Sequence, residues 1–160
     1  MTVWIEVADG DRAWNEKIQK NPEIPKRGLW APAIPRHYAF FRRVRPDDIL
    51  LTYLTCNEST RMMWRSSIVG ISTISNEMYK KGNKMFIDTK DDVTLPIPIQ
   101  LREFKKVETF SPAGGLKRLI KRSMQQYLAD VSKNDLMILL KIHPENYSFL
   151  KESNYDGLFD

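Results

Sequence analysis

"DILLTYLT", Asp48 to Thr55, is the stretch on which the reading of this chain turns. It is an apolar, β-favouring run without helical period, and it predicts a strand. A second such run, "SSIVGISTI" (Ser66 to Ile74), predicts another, which leaves "CNESTRMMWR" between them as a long hairpin loop. Upstream, "VWIEV" (Val3 to Val7) alternates and predicts an opening strand ended by "ADGD". Asp11 is placed to cap a short helix running to about Lys20. Pro22, Pro25, Pro32 and Pro35 then hold a loop open, so that "RGLWAPAIP" (Arg27 to Pro35) carries Trp30 on a turn. Pro32 moves Ala31 away from helical dihedrals, and Gly28 adds backbone freedom. From Pro35, "RHYAFFRRV" reads as a helix.

Downstream, "LPIPIQLREFKKV" (Leu95 to Val107) alternates as a strand with prolines near an edge. "SPAGG" breaks the chain before a helix from Leu116 to Leu128, with Leu116, Leu119, Ile120, Met124, Tyr127 and Leu128 on one stripe. "SKND", pairing Ser132 with Asp135, opens an apolar last helix through Ile142 that His143-Pro144 ends. The expected fold class is α+β, a curved β-sheet or small β-barrel flanked by helices. Residues 1–145 form the expected domain, and 146–160 a C-terminal tail or the start of a linker to a further domain.

No apolar run approaches the ~20 residues needed to span a bilayer, and the N-terminus lacks the pattern of a secretion signal. A single Cys56 excludes an internal disulfide. These features predict a cytoplasmic protein with no membrane partner. The net charge of +5 is unevenly spread. Arg36, His37, Arg42, Arg43 and Arg45 form one run free of acids, and Lys117, Arg118, Lys121 and Arg122 a second. Two such runs on a small domain point to a polyanion partner.

Catalytic constellations are scarce. Neither His37 nor His143 has a carboxylate at helical spacing, and no P-loop, zincin or nucleophile-elbow motif occurs. The two glycines of "SPAGGLKRL" are a weak phosphate signal and read first as a loop break. No enzyme chemistry, cofactor or metal is expected. Binding chemistry is better represented. Trp30 either caps the open end of a small barrel or offers a π-face on which a base stacks, worth ~1–3 kcal/mol per base. Trp64, between Arg61 and Arg65 in "RMMWR", has the composition of a duplex-penetrating loop: cations for phosphates and an apolar wedge for the gap. Trp4 and Trp14, on a strand and a helix, are expected in the core.

In order, "VWIEVADGDRAW", "RGLWAP", "VRPDDILLTYLT", "SSIVGISTISNEMY" and "LPIPIQLREFKKVETF" resemble the successive elements of EVE and YTH domains of the PUA-like superfamily, from Trp4 to about Ile142. Pro46, Asp47 and Asp48 resemble the family's Pro-Gly-Asp strand entry. In YTH domains a Gly-x-Trp after the first helix supplies a wall of an aromatic cage for a flipped methylated base. That motif falls on Gly28, Leu29 and Trp30. The resemblance further implies that the Ala31 backbone meets the exocyclic group of the base and that Asp9 approaches its Watson–Crick edge. No Trp occurs where YTH cages carry a second one, and Phe104, Leu101 or a folded-in Trp64 are the candidates to replace it.

The expected function is a non-catalytic reader of a modified base, 6-methyladenine or a modified cytosine, in DNA. It would be the targeting domain of a McrBC-type restriction system with a fused or partner NTPase or nuclease. The alternative is an RNA-binding regulator of the EVE/YTH type, and a small-molecule or protein-interaction domain is a third reading. The expected pocket is Trp30, Ala31, Asp9, Leu29 and Phe104, and the expected backbone grips and wedge are Arg36, Arg42, Arg43, Arg61, Trp64 and Arg65.

Overall fold

The computed structural model describes residues 1–23 and 28–160, so Pro25 and Arg27 of the proline-bounded loop lie outside the described residues. In chain order the first half holds β1 (Val3–Ala8), α1 (Asp11–Ile18), β2 (Leu29–Pro32), α2 (Pro35–Phe41), β3 (Ile49–Leu54) and β4 (Ser67–Ile74). The second half holds β5 (Tyr79–Lys81), β6 (Lys84–Ile87), β7 (Thr89–Gln100), α3 (Leu101–Phe104), α4 (Gly115–Lys121), β8 (Leu128–Val131), α5 (Lys133–Ile142) and α6 (Pro144–Lys151). The expected α+β class is what forms. No helix among the described residues is long and apolar enough to cross a membrane.

Among the described residues two sheets form, one of five strands in the order β7-β4-β3-β1-β8 and one of three in the order β2-β6-β5. β1 and β3 pair in parallel, Val3 opposite Ile49 through Ala8 opposite Leu54, and the other ladders are antiparallel. Strand β3, in the middle of the five-stranded sheet, is buried on both faces, which explains its unbroken apolar run. One face holds Ile5, Leu51, Tyr53 and Ile71 against Phe104, Leu119, Leu136 and Leu140 from the later helices. The other brings Trp4, Leu50 and Ile74 against Leu29, Met85 and Ile87 of the small sheet and Phe41 of α2. Trp4 and Trp14 are in the core, as expected. Gly70 leaves room for Trp14, because a Cβ there would lie 2.1 Å from the indole.

Several elements differ from the sequence reading. Trp30 sits on strand β2, not on a turn, because residues 29–32 pair with β6 of a hairpin turning at Gly82 and Asn83. Gly28 serves that approach: a Cβ there would lie 2.1 Å from the Ile87 carbonyl oxygen. Helix α1 is entered through Gly10, and the Asp11 carboxylate turns instead to Arg61. β7 begins at Thr89 and stops at Gln100, where Gln100 and Glu103 form a capping box that starts α3. Helix α4 ends at Lys121, since Ser123 and Met124 take φ of 53° and 58°, and the reversed chain re-enters the sheet as β8. Asp47, at φ 69°, adopts the left-handed backbone that glycine favours.

The boundary expected at residue 145 is absent from the fold. Leu150, Tyr155 and Leu158 are buried in the same core as Ile5 and Leu51. Asn146, fully buried, donates to the Ile97 carbonyl at 2.7 Å and accepts from the Ile97 N–H at 2.9 Å. It thereby closes part of the exposed edge of β7, where Pro96 and Pro98 already withhold donors.

Candidate functional site

The C-terminal end of β1 runs beside α1, with β2 across from it. Between them lies a cavity of about 380 Å³ whose lining includes Glu6, Asp9, Arg12, Lys17, Trp30, Ala31, His37 and Tyr127. Trp30 is half-buried and forms one wall, with the Lys84 ammonium 4.9 Å from its ring centroid. Ala31 also lines the cavity. Exposed Asp9 stands at the mouth and accepts a hydrogen bond from the Thr55 hydroxyl.

Two charged residues close the deep end. The side chains of Lys17 and Glu6 are only 2% and 3% exposed, and their ammonium and carboxylate meet at 2.5 Å. The Thr52 hydroxyl donates to the same Glu6 oxygen, Oε1, at 2.7 Å. Burying such a pair is expensive unless its geometry is close and its remaining hydrogen bonds are made. Sequence reasoning missed both residues, although a signal existed. Alternation in "VWIEV" puts Glu6 on the face of Trp4, and Lys17 follows Trp14 by three positions, so a helix that buries one buries the other.

Tyr127, which the apolar stripe assigns to a core helix, instead joins two walls. Its hydroxyl donates to the Trp30 carbonyl at 2.9 Å, while its own carbonyl accepts from the Val7 N–H at 2.8 Å. His37 meets Tyr127 edge-on at 5.9 Å between ring centroids. Burial, reinforced by the adjacent Arg36 charge, holds the His37 imidazole below its ordinary pKa of 6.5, so it is neutral at pH 7. The other rings lining the cavity with Trp30 are Tyr127 and His37, not any of the three candidates named from sequence. Phe104 lies on α3, fully buried in the main core, and Leu101 packs against that core. Leu29, one residue from Trp30 on the strand, faces the other way into the core behind β2.

Trp64 does not project as a wedge. It is 6% exposed and packs with Trp14, Leu54 and Val69 beneath the Arg61 guanidinium, 3.8 Å from its ring centroid. The two arginines around it make internal contacts. Arg61 pairs with Asp11 at 2.8 Å, and its hydrogen bonds overcome the effect of burial and hold that carboxyl below its usual range. Arg65 donates to the Thr60 carbonyl at 2.7 Å. Met62 and Met63 are the exposed large apolar side chains of this loop, at 75% and 58%.

Arg36, Arg42 and Arg43 are exposed on and after α2. Arg36 and Arg122, one from each basic run, line a groove that shares His37 and Tyr127 with the cavity. Arg43 lies over the Trp4 ring, 5.3 Å from its centroid. His143 meets a carboxylate after all, Glu103 at 3.0 Å, but this pair is outside the cavity. Helix α4, entered through Gly114 and Gly115, has Asp130 against its first turn, an acidic neighbour unsuited to a phosphate.

Fold and site together define a small α+β domain with a half-enclosed pocket, aromatic on one side and charged at its end. No protein-family model matches the chain. It is 27% identical to a UPF0310 protein of Pyrococcus abyssi over 106 residues, covering 66% of this chain and 68% of the relative. Three solved structures share its fold. An NMR structure from Rhodopseudomonas palustris matches with a TM-score of 0.61 at 16% identity, over 90% of this chain and 94% of that one. Crystal structures from Agrobacterium tumefaciens and Pseudomonas putida match with TM-scores of 0.58 and 0.55 at 13% and 11% identity. They cover 87% and 88% of this chain and 90% and 98% of their own.

Proposed function

We propose that this chain is a non-catalytic reader of a modified nucleobase, 6-methyladenine or a modified cytosine, held flipped out of DNA in the cavity beside Trp30. The observation that carries the reading is one cavity combining an indole wall with a buried hydrogen-bonding end. Its volume of about 380 Å³ lies at the small end of the ~300–1,000 Å³ typical of small-molecule sites, in keeping with a single base. Stacking on an indole tolerates any base, and the buried polar groups then choose among them. Removing a base from its stack costs a few kcal/mol, which these contacts must offset.

The surroundings support the same reading. Exposed Arg36, Arg42 and Arg43, with Arg12 at the cavity, supply the cations a phosphate backbone requires. Met62 and Met63 take the wedge role expected of Trp64. On this proposal the fold is the PUA-like EVE/YTH domain its motifs resemble. The chain is then the targeting domain of a modification-dependent restriction system, and a fused or partner NTPase or nuclease does the cutting.

The test is a set of binding titrations with labelled oligonucleotides carrying one 6-methyladenine, one 5-methylcytosine or no modification, as DNA duplexes and as RNA. Tighter binding of one modified DNA than of its unmodified control supports the proposal. Preference for the modified RNA transfers the pocket to an RNA-binding regulator, and equal binding of all six rejects base reading.

A further inference from the structure

Resting on the base-reading proposal, we propose that Glu6 and Lys17 select among bases by hydrogen-bond polarity. They accept those with an exocyclic amine beside a ring-nitrogen acceptor, the adenine and cytosine type, and reject their oxo counterparts.

The pair is nearly inaccessible and yet lines the cavity, so its remaining hydrogen-bonding capacity is directed at whatever fills that space. Glu6 concentrates its bonds on one oxygen: Oε1 receives both Lys17 at 2.5 Å and Thr52 at 2.7 Å. Oε2 makes no hydrogen bond among the described residues, and a carboxylate oxygen can only accept. The Lys17 ammonium has three donors. One goes to Glu6 and one reaches the Ala13 carbonyl at 3.4 Å, which leaves a third. The closed end of the cavity thus offers an unfilled acceptor next to an unfilled donor. Its complement is a ligand edge with a donor next to an acceptor.

Adenine and cytosine carry that edge. The amine N–H meets Oε2 and the adjacent ring nitrogen accepts from Lys17. Oxo bases reverse the order. Their ring N–H is flanked by one carbonyl oxygen in hypoxanthine and by two in thymine, and bonding it to Glu6 forces those oxygens toward the carboxylate. A single N-methyl group leaves one amine N–H for Glu6, so 6-methyladenine still fits, whereas a dimethylated amine has none.

The experiment compares matched bases in otherwise identical oligonucleotides: 5-methylcytosine with thymine, and 6-methyladenine with hypoxanthine and with N6,N6-dimethyladenine. The expected result, in whichever ring class binds, is a preference for the amine-bearing base of roughly ten- to a hundredfold, the effect of leaving buried groups unpaired. The double substitution Glu6→Gln with Lys17→Met removes both charges together, avoiding the stranded charge of either single change. It should keep the melting transition and reduce the preference to about twofold or less. Equal binding of amino and oxo bases by the unsubstituted protein overturns the inference, as does a preference that persists in the folded double variant. In both cases, binding that still depends on Trp30 leaves the base-reading proposal standing. If no oligonucleotide depends on Trp30, both proposals fail together.

Discussion

The hydroxyl of Tyr127 donates a 2.9 Å hydrogen bond to the backbone carbonyl of Trp30, across ninety-seven positions of sequence. Its own carbonyl is bonded to Val7, so one residue sets the separation between β1 and the strand carrying the indole. Tyr127→Phe keeps the ring against Phe41, whose centroid is 6.2 Å away, and removes the donor. The expected loss is ~0.5–1.5 kcal/mol of stability, the net worth of a typical intramolecular hydrogen bond. Affinity for a modified oligonucleotide should fall as well, because the Trp30 wall loses a tether. Denaturant melts paired with binding titrations check both. A variant altered in neither would show that the bond does not position the wall.

Asn146 predicts that the C-terminal segment belongs to the folded unit. Asn146→Ala leaves the Ile97 N–H and carbonyl without their partner in a protected setting. At ~1–3 kcal/mol for each such group, chemical denaturation should report a clear loss. Asn146→Asp retains an acceptor for the Ile97 N–H and should not recover the full stability, since the donor to the Ile97 carbonyl is gone. Wild-type stability in Asn146→Ala would mean that the segment only rests on the edge of β7.

Much of this architecture is legible in the sequence, and its gaps have physical causes. The core strands β1, β3 and β4 and the capped helix α5 carry strong local signals, and Ser132 accepts from the Asp135 N–H as its motif requires. The short strands β2, β5, β6 and β8 are formed by pairing with partners remote in sequence, so their own residues hardly announce them. Trp30 looked turn-borne because its prolines were visible and the hairpin at Gly82 was not. Of the pocket, Trp30, Ala31 and Asp9 were anticipated through resemblance. Glu6 and Lys17 were not, because each is an ordinary charged residue until the fold buries them together.

His37 gives the site a pH signature. Its folded-state pKa lies below 6.5, so the unfolded chain takes up the proton first as pH falls. Stability conferred by the neutral ring is therefore complete above about 6.5 and lost on descending through the folded value. Glu103 titrates in a separate window. Burial alone would raise its carboxyl, but the Gln100 N–H and His143 hold it below 4.5, so its contribution is lost only under more acid conditions. Melting curves between pH 7 and pH 5 should therefore fall more steeply for the wild type than for His37→Gln. Parallel curves would remove His37 from the account.

Trp30→Ala tests the central claim most directly, with affinity and melting temperature measured on the same protein. If the indole is the wall on which a base stacks, affinity for the modified oligonucleotide falls roughly ten- to a hundredfold, equivalent to ~1–3 kcal/mol. The unmodified duplex, held through its phosphates, should lose little. Trp30 is only half-buried, so the melting temperature should change far less than the ~3–5 kcal/mol of a core Trp→Ala cavity would bring about. A stable Trp30→Ala protein that prefers the modified oligonucleotide by the wild-type ratio would contradict the account.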